Sequence, residues 1–472
     1  MTLHPTSSSL TTRSSHTTRS SLTTSSSLTT SSTHTQEFTM THPRLSRRSA
    51  LGLGAAAGSL ALFTGCSTST SGSGSGGGKD GGISLWIWPE GFADDVVADI
   101  TERFPDAGFT QTVQGGDFKQ KLQTTLQAGK GLPNITGIKG EDIAHFSSVA
   151  EYFVDLNTLG AEDHKGEYAD WKWEQATTKD GKQLGIPIDI GPTALFYRHD
   201  IFEKNGLPST PEDLAAAIRE WEQLFDLGKQ LNAADKDTYL IRNLSGVFDL
   251  AWRQSGKAFI DEEGAFIGAD SHIRQAWDLA ISAHDAGINA ALESNTPDLA
   301  AAVAAGKLPA DFGASWHLAD LIVDAPDTSG KWHVCEHPGD AANLGGSFLG
   351  IPADVEDQEQ AFEIILALLD AKNLAREYVH SGNFPANLEA MESPEVQGEV
   401  EFLGGQVAGK VFAHAAEYVR PLYEDPADGT VNAPFYAELA LVEASGKDPA
   451  KAWDAAVAEA ERLAEQNGIT VA

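Results

Sequence analysis

The sequence predicts an α/β fold with more than one packed core, on three observations. The chain has 472 residues, of which 41% are hydrophobic and 21% charged, enough for two or three cores. Segments with alternating apolar residues are repeatedly followed by segments with apolar residues at helical spacing, which is typical of β-α units. The two cysteines, Cys66 and Cys335, allow at most one disulfide, so packing must hold the fold together.

The charge balance excludes several classes of function. The 33 Lys and Arg residues face 67 Asp and Glu residues, a formal net charge of −34. Such a chain repels polyanions, so we expect no nucleic-acid partner and no attraction of the folded body to an anionic membrane surface. The sequence has no run of 18 apolar residues, which excludes an ordinary membrane-spanning helix.

The N-terminal region has the features of a targeting segment. Residues 1–39 are rich in Ser and Thr and are predicted to be disordered, and Met40 is a better candidate for the true start. Residues 40–66 combine basic residues with a short apolar region and are predicted to be an export signal. Within this segment Arg47 and Arg48 resemble a twin-arginine signal.

The end of the apolar region resembles a bacterial lipobox, in which Cys66 is alkylated by a lipid and becomes the mature N-terminus. An ordinary cleavage site near Cys66 is the alternative. The Ser- and Gly-rich residues 67–82 are predicted to be a flexible tether, as an anchored globular body requires. We therefore expect an exported protein held on the outer face of the cytoplasmic membrane by its lipid alone.

From residue 83 onward the pattern alternates between strands and helices. Successive β-α units favour a mainly parallel sheet, whose ligands lie at the carboxyl ends of the strands. The predicted elements are a strand at 83–88, a helix at 92–104, a strand at 111–113, a helix at 118–126, a strand at 135–138, a helix at 143–152, and a strand that runs into a helix within 194–202.

Several segments, in their order and spacing, resemble family 1 extracellular solute-binding proteins, the sugar-binding lipoproteins of bacterial ABC importers. The segments are Leu85-Trp-Ile-Trp88, Lys121-Leu with Leu126-Gln-Ala-Gly-Lys-Gly-Leu-Pro133, Val154-Asp-Leu156, Asp180-Gly-Lys with Gly185-Ile-Pro187, Phe196-Tyr-Arg-His-Asp-Ile-Phe202 with Gly206-Leu-Pro208, and Gly345-Gly-Ser-Phe-Leu-Gly-Ile-Pro352. The resemblance implies a type 2 periplasmic-binding-protein fold, in which two α/β lobes close around a hinged cleft. It places an N-terminal lobe in residues 83–190 and 346–409, and a C-terminal lobe in residues 191–345 and 410–472.

The resemblance also implies a function. We expect a monomeric receptor that clamps a mono- or oligosaccharide and delivers it to a membrane permease, without enzymatic activity and without a cofactor. Two alternatives stay open. One is the same fold with a non-sugar solute such as glycerol phosphate or a peptide, and the other is a secreted glycoside hydrolase with a positioned carboxylate pair.

Aromatic side chains are the first candidates for ligand contact, because a saccharide presents apolar C–H faces that stack on rings. Trp88 lies at the carboxyl end of the first predicted strand, and an ordinary buried position is the alternative. Trp316 follows a Gly-rich turn at a position where the resemblance implies a stacking tryptophan. Trp252 is a weaker candidate, because it fits a helix core equally well.

Polar candidates are expected where strands end and where the chain crosses between lobes. The resemblance implies that Asp189, after Ile-Pro-Ile, faces the cleft. The residues after strand ends could equally be solvated loop charges, and the crossover residues could form only a turn. The strand-end candidates are Glu90, Lys139, Glu141 and Asp142, and the crossover candidates are Asn343, Gly346 and Ser347.

Two motifs contain residue types that serve other chemistry. His333, Cys335 and His337 alternate along one predicted strand and contain zinc-binding residue types, but three alternate positions on a strand seldom complete a tetrahedral site. The segment around Ser347 resembles a nucleophile elbow, but its Gly-x-Ser-x-Gly spacing fails at Leu349. The sequence therefore predicts neither a metal site nor a hydrolase signature.

Overall fold

The computed structural model describes residues 81–89 and 91–471. The predicted signal residues Arg47 and Arg48, the predicted lipidation site Cys66 and the candidate Glu90 lie outside these ranges. The strands are β1 (Ser84–Ile87), β2 (Thr110–Val113), β3 (Ile135–Lys139), β4 (Ile186–Ile190), β5 (Ala194–Arg198), β6 (Ala310–Gly313), β7 (Trp332–Cys335), β8 (Ser347–Gly350) and β9 (Phe384–Pro385).

Eighteen α-helices surround these strands in the described part of the chain. They are α1 (Asp94–Arg103), α2 (Phe118–Ala128), α3 (Gly140–Ser147), α4 (Asp170–Gln175), α5 (His199–Lys204), α6 (Pro211–Ala217), α7 (Trp221–Ala234), α8 (Leu244–Gln254), α9 (Ser271–Asp285), α10 (Pro297–Ala304), α11 (His317–Asp324), α12 (Gln358–Leu368), α13 (Ala371–Ser381), α14 (Leu388–Met391), α15 (Ala408–Glu417), α16 (Asp428–Val431), α17 (Ala433–Ser445) and α18 (Pro449–Gln466). None of the helices that the structure describes is long and apolar enough to cross a membrane.

The first sheet has six strands in the order β2-β1-β3-β8-β4-β9. The pairs β1–β2 and β1–β3 are parallel, as the β-α pattern predicts. The other three pairs are antiparallel, so the prediction of a mainly parallel sheet is wrong. The reason is β8, which returns from a distant part of the chain and inserts between β3 and β4 in the opposite direction. We call the part built on this sheet the first lobe.

The second sheet is a small antiparallel one with the strand order β6-β5-β7. Helices α8, α9, α17 and α18 pack with one another in the same part of the molecule. Their buried residues share one apolar cluster with residues of β5, including Leu195 and Tyr197. We call the part built on this sheet the second lobe. The two lobes and the mixed α/β architecture confirm the predicted fold class.

Helix α2 shows how local sequence sets an element of the first lobe. Its N-cap Asp117 accepts a hydrogen bond from the backbone N–H of Gln120 at 3.0 Å, and Gly129 ends the helix with φ of 58°, a conformation that favours glycine. Phe118, Leu122 and Leu126 are buried on one face, as their spacing predicts. The predicted helix is therefore confirmed, and it ends two residues later than expected.

Helix α3 begins three residues earlier than the predicted start at residue 143. Its first residue, Gly140, donates its backbone N–H to the carbonyl oxygen of Gly346 at 2.6 Å. A Cβ at this position would lie 2.5 Å from the carbonyl oxygen of Gly345, so only glycine allows the contact. The N-terminus of α3 is thus fixed by a segment about two hundred positions away, which no local pattern encodes.

The chain crosses between the lobes twice in close proximity. The first crossing, between β4 and β5, is joined to the returning crossing before β8 by two hydrogen bonds. The backbone N–H of Leu344 donates to Gly191 O at 2.8 Å, and the N–H of Gly191 donates to Asn343 Oδ1 at 2.8 Å. Gly345 and Gly346 have φ of 67° and 76°, which lets the chain turn there with little steric cost.

Residues 400–407 attach to the second lobe. Gln406 is bonded to the backbone of Val334 in β7 through both its Oε1 and its Nε2 atoms, at 2.8 and 2.6 Å. The N–H of Gly330 also donates to Phe402 O at 2.9 Å. These hydrogen bonds join the segment to the three-stranded sheet, while Phe402 and Leu403 also share an apolar cluster with residues of the first sheet. The predicted lobe boundary at residue 409 stays a prediction.

Candidate ligand-binding cleft

A cavity of about 680 Å³ lies between the two lobes. From the first lobe it is lined by α4, including Trp171 and Gln175, and from the second lobe by the segment before α16, including Leu422 and Glu424. A smaller cavity of about 30 Å³ shares these four residues and extends to Arg253 and Asn343. The two cavities together define a cleft with a wall from each lobe and with the crossover segments near its base.

Four buried residues behind the cleft, where α4 meets the crossover segments, form what we call the floor cluster: Lys172, Asp189, Gly346 and Ser347. They do not line the two cavities themselves, and Lys172 is joined to the lining residue Gln175. The hydroxyl of Ser347 donates to Asp189 Oδ1, and Lys172 Nζ donates to Gln175 Oε1 at 3.0 Å. Lys172 Nζ also lies 4.0 Å from the centroid of the Phe348 ring. A Cβ at position 346 would lie 2.6 Å from both Lys172 Nζ and Asp189 O, so the cluster requires glycine there.

Burial shifts the ionisation of the floor cluster. Lys172 is fully buried, and the loss of solvation lowers the pKa of its ammonium to about 8 despite the opposing charges of Asp189, Glu424 and Glu141. Burial raises the pKa of Asp189, against the opposing effects of Lys172 and Ser347. The structure therefore brings the predicted residues Asp189, Gly346 and Ser347 together, around a lysine that sequence reasoning did not select.

The strand-end candidates lie along the adjacent rim of the first lobe. Lys139 Nζ lies 5.8 Å from the centroid of the Trp88 ring and 3.8 Å from Glu141 Oε1. Asp142 Oδ1 forms an ion pair with Lys119 Nζ at 2.8 Å, and the side chain of Asp142 is largely buried. Its carboxylate therefore already has a partner within the protein. Trp88 is half-buried, and its ring lies against the Cα of Gly137. Trp88, Lys139 and Glu141 thus form one contiguous group, and their contact with a ligand stays a prediction.

The second lobe contributes what we call the wall cluster: Asp249, Arg253, Glu424 and Tyr436. Arg253 Nε donates to both carboxylate oxygens of Asp249 at 3.2 Å, and Nη1 donates to Glu424 Oε1 at 3.5 Å. The hydroxyl of Tyr436 donates to Asp249 Oδ1 at 2.6 Å. Asp249 and Arg253 are one helical turn apart on α8, so the helix presents both to the same side. Their side chains keep 26% and 21% of their exposure, which leaves polar edges free.

Trp252 is a core residue of the second lobe, which corrects its prediction as a ligand contact. It is 1% exposed, and its Nε1 atom donates to the hydroxyl of Tyr436 at 3.0 Å. The guanidinium carbon of Arg253 lies 4.3 Å from the centroid of its ring. On α8, Trp252 points into the core of the second lobe, while the next residue, Arg253, lines the cleft. Trp252 therefore packs against the side of the Arg253 guanidinium.

Trp316 and Asn343 lie at the crossovers. The Cη2 atom of Trp316 would be 2.4 Å from a Cβ at Gly191 and 3.5 Å from one at Gly345, so the half-buried ring fits against the crossover backbone. Asn343 uses Oδ1 for the N–H of Gly191, and its Nδ2 donates to Gly345 O at 3.0 Å. The side chain of Asn343 thus joins the crossovers, while it also lines the smaller cavity.

The histidine and cysteine motif around β7 does not converge on one point. The ring of His333 stacks on that of His199 with 4.1 Å between centroids, whereas His337 is buried and lies 2.7 Å from the hydroxyl of Thr193. Cys335 is a buried free thiol whose pKa is raised by burial. Among the described residues no group of three or more His, Cys, Asp or Glu side chains could hold a metal ion.

The sequence did not point to three residues that line the cleft, Trp171, Arg253 and Glu424, nor to Lys172 and Asp249, which contact lining residues. A signal was present for two of them, since Asp249 and Arg253 have the i, i+4 spacing of an ion pair on one helix face. Lys172 stands between two tryptophans in a short helix, and nothing local indicates that it is buried. Glu424 lies in a segment without helix or strand, where spacing gives no prediction.

Two α/β lobes around a cleft with polar groups on both walls define a ligand-binding protein that clamps its solute. Residues 96–404 match the sequence model of the bacterial extracellular solute-binding protein family. The match covers more than half of the chain, so the chain belongs to this family and is an exported protein. The family named by the sequence resemblance is thereby confirmed.

Relatives with assigned names agree with this membership. The chain is 25% identical to a lactose-binding protein of Rhizobium radiobacter over 411 residues, which cover 79% of this chain and 88% of that protein. It is 21% identical to an arabinooligosaccharide-binding protein of Halalkalibacterium halodurans, over 66% of this chain and 71% of that protein. Among solved structures, an extracellular solute-binding protein of family 1 superposes with a TM-score of 0.76 at 25% identity, over 81% of this chain and 99% of that one.

Proposed function

We propose that this protein is an extracytoplasmic sugar receptor that closes its two lobes on a mono- or oligosaccharide. The observation that carries the proposal is the cleft itself, in which Arg253 and Glu424 of the wall cluster line the same cavity as the half-buried Trp171. An arginine held between two carboxylates offers donors and acceptors at fixed positions. An indole ring in the opposite wall offers an apolar face.

These groups match the chemistry of a saccharide. Each sugar ring has apolar C–H faces that stack on an indole, and a rim of hydroxyls that both donate and accept hydrogen bonds. Carboxylates accept from such hydroxyls, while the guanidinium donates to their oxygens. The cavity of about 680 Å³ is within the range of small-molecule sites and has room for a small oligosaccharide.

The surroundings of the cleft favour a neutral sugar over an anionic solute. The lining of the larger cavity includes one lysine, Lys179, and five carboxylate residues, which are Glu174, Asp180, Glu262, Glu424 and Asp425. A phosphate group would require converging Arg and Lys side chains, and the excess of acid opposes its approach. Glycerol phosphate is therefore the weaker alternative for this cleft.

The proposal extends to anchoring and delivery. We propose that residues 83–190 with 346–409 and residues 191–345 with 410–472 move as the two lobes, with the segment near 400–407 travelling with the second. The lipid on Cys66 would hold the protein near an ABC permease, to which the closed form would deliver the sugar. The named relatives bind sugars and so support the ligand class for this chain.

Ligand binding can be tested on the purified mature chain with Cys66 replaced by serine. Lactose, arabino-oligosaccharides, glycerol 3-phosphate and a dipeptide are screened by thermal shift, and any hit is measured by calorimetry. We expect a midpoint that rises with sugar concentration, because ligand that binds only the folded state stabilises it. Chromatography of the recovered sugar separates binding from hydrolysis, since cleaved products would indicate the glycosidase alternative. A response to glycerol phosphate or peptide alone would overturn the sugar assignment.

A further inference from the structure

We propose that Lys179 is a latch between the lobes, which holds the mouth of the cleft closed by a hydrogen bond from one lobe to a backbone carbonyl of the other. Lys179 Nζ donates to the carbonyl oxygen of Glu262 at 2.9 Å. The same atom lies 4.9 Å from the centroid of the Tyr423 ring. Lys179 comes from the first lobe, and both of its partners belong to the second.

On the first lobe, Lys179 is presented by a tight turn. The backbone N–H of Gly181 donates to Thr178 O at 2.9 Å, and the N–H of Thr178 donates to Lys182 O at 2.9 Å. Gly181 has φ of 87°, which favours glycine. Lys182 Nζ is anchored on the carbonyl oxygens of Ala150 and Phe153. The turn is therefore tied to its own lobe on both sides of Lys179.

On the second lobe, the acceptor lies in a turn of the same kind. The N–H of Gly264 donates to Asp261 O at 3.0 Å, and the N–H of Ala265 donates to Asp261 Oδ1 at 2.8 Å. The pairing of Ile260 with Phe266 closes this turn. Each lobe thus contributes one hydrogen-bonded turn, and the ammonium of Lys179 connects the two turns.

The position of this contact gives it a function. Thr178, Lys179, Glu262 and Tyr423 all line the cavity of about 680 Å³, and Lys179 and Glu262 are exposed to solvent. The contact therefore lies at the rim, where a bound solute enters and leaves. An interaction that exists only when the lobes are together stabilises the closed state and slows ligand release.

The latch has a specific chemical signature, because its acceptor is a backbone carbonyl. Removing the Glu262 carboxylate should leave it intact, whereas removing the lysine ammonium should break it. A charge-assisted hydrogen bond at a solvated rim together with a cation–π contact corresponds to about a three- to tenfold change in the open-to-closed ratio. Lys179→Arg keeps the charge and the donors, so it should retain most of the effect.

The test compares interlobe distances without any sugar. Spin labels are attached to E102C on α1 and E465C on α18, both exposed positions, and distances are measured by double electron–electron resonance. We expect Lys179→Ala to shift the distribution toward longer distances, and Glu262→Gln and Lys179→Arg to keep that of the parent. The matched control is Lys130→Ala, an exposed lysine of the first lobe whose side chain has no hydrogen-bond partner among the described residues.

A second arm uses lactose or the sugar found in the screen of the preceding section, and therefore rests on the proposed function. Stopped-flow fluorescence should give a dissociation rate about three- to tenfold faster for Lys179→Ala, with little change in the association rate. Unchanged distances in Lys179→Ala, or an equal shift in Glu262→Gln, would overturn the latch. Absence of sugar binding in every variant would overturn the receptor, while the distance measurement would still decide the latch.

Discussion

The floor cluster and the wall cluster contrast two ways of placing charge near one cleft. In the floor cluster, the ammonium of Lys172 is fully buried over the ring of Phe348 and beside Gly346, and its pKa is lowered to about 8. In the wall cluster, the guanidinium of Arg253 lies over Trp252, but its edge stays partly exposed and is held by carboxylates. One charge is enclosed by the fold, and the other is presented to the cleft.

The two cations differ in how burial affects their charge. A lysine is a compact ion whose pKa responds strongly to burial, while arginine stays charged and offers a planar set of donors. The floor cluster should therefore act on stability and its pH dependence, and the wall cluster on ligand affinity. Variants of Asp189, Arg253 and Lys172 test this division, and a variant of Trp316 tests the crossover beside the clusters.

Asp189→Asn should give the largest loss of stability. The substitution removes the negative charge beside the buried ammonium of Lys172 and weakens the acceptor for Ser347, so we expect a loss of about 3 kcal/mol of unfolding free energy. Urea unfolding of the ligand-free protein measures it. The double variant Asp189→Asn with Lys172→Met should recover a large part of the lost unfolding free energy, because neither buried charge is then present without its partner. An unchanged midpoint in the single variant would show that the floor cluster contributes no stability.

Arg253→Met should act on affinity instead. The variant removes the donors that face the cleft and leaves Asp249 and Glu424 unpaired, so we expect the dissociation constant for the sugar to rise about a hundredfold. Calorimetry measures it. Arg274→Met is the matched control, because Arg274 also pairs with an aspartate one turn away and lies 5.0 Å from a tryptophan ring, Trp453. An equal loss of affinity in both variants would show that the effect comes from losing an arginine–aspartate pair on a helix surface, and not from losing a ligand contact in the cleft.

Lys172→Met should remove a pH dependence of stability. The unfolded lysine titrates near its ordinary value, whereas burial lowers the pKa of the folded lysine to about 8. Between these values the unfolded state holds more protons, so the contribution of Lys172 to stability rises with pH. We expect the unfolding free energy of the parent, relative to the variant, to increase by about 1 kcal/mol per pH unit from pH 8 to 10. Parallel pH profiles would contradict the assignment.

Trp316→Ala should give a smaller effect that decides between two roles. If the exposed part of the ring contacts the ligand, the dissociation constant should rise about tenfold, corresponding to about 1.4 kcal/mol, while the unfolding midpoint of the ligand-free protein falls little. Calorimetry and thermal unfolding on the same sample measure both. A large fall in the midpoint with unchanged affinity would assign the ring to packing against Gly191 and Gly345 alone.

Part of the floor cluster was indicated by the sequence, because the family resemblance marks the segments that cross between the lobes. Asp189 and Ser347 lie in these segments and are hydrogen-bonded to each other, while their contact with a ligand stays a prediction. Lys172 was not found, because its burial results from Phe348 and Gly346, which lie far away along the chain. Trp252 was misassigned for the same reason, since the periodicity of α8 shows that one side is buried but not which element covers the other.

The α/β class and the early elements β1 to β3 with α1 and α2 could be predicted from the sequence, because they depend on short-range periodicity and on caps such as Asp117 and Gly129. The family was indicated by the resemblance of several short segments in their order and spacing. The tertiary structure alone decided the position of β8 between β3 and β4, the early start of α3 and the meeting of Lys179 with Glu262. Each of these depends on the close approach of segments that are far apart along the chain. Long-range packing, and the burial of charge that accompanies it, selects the residues that form this cleft.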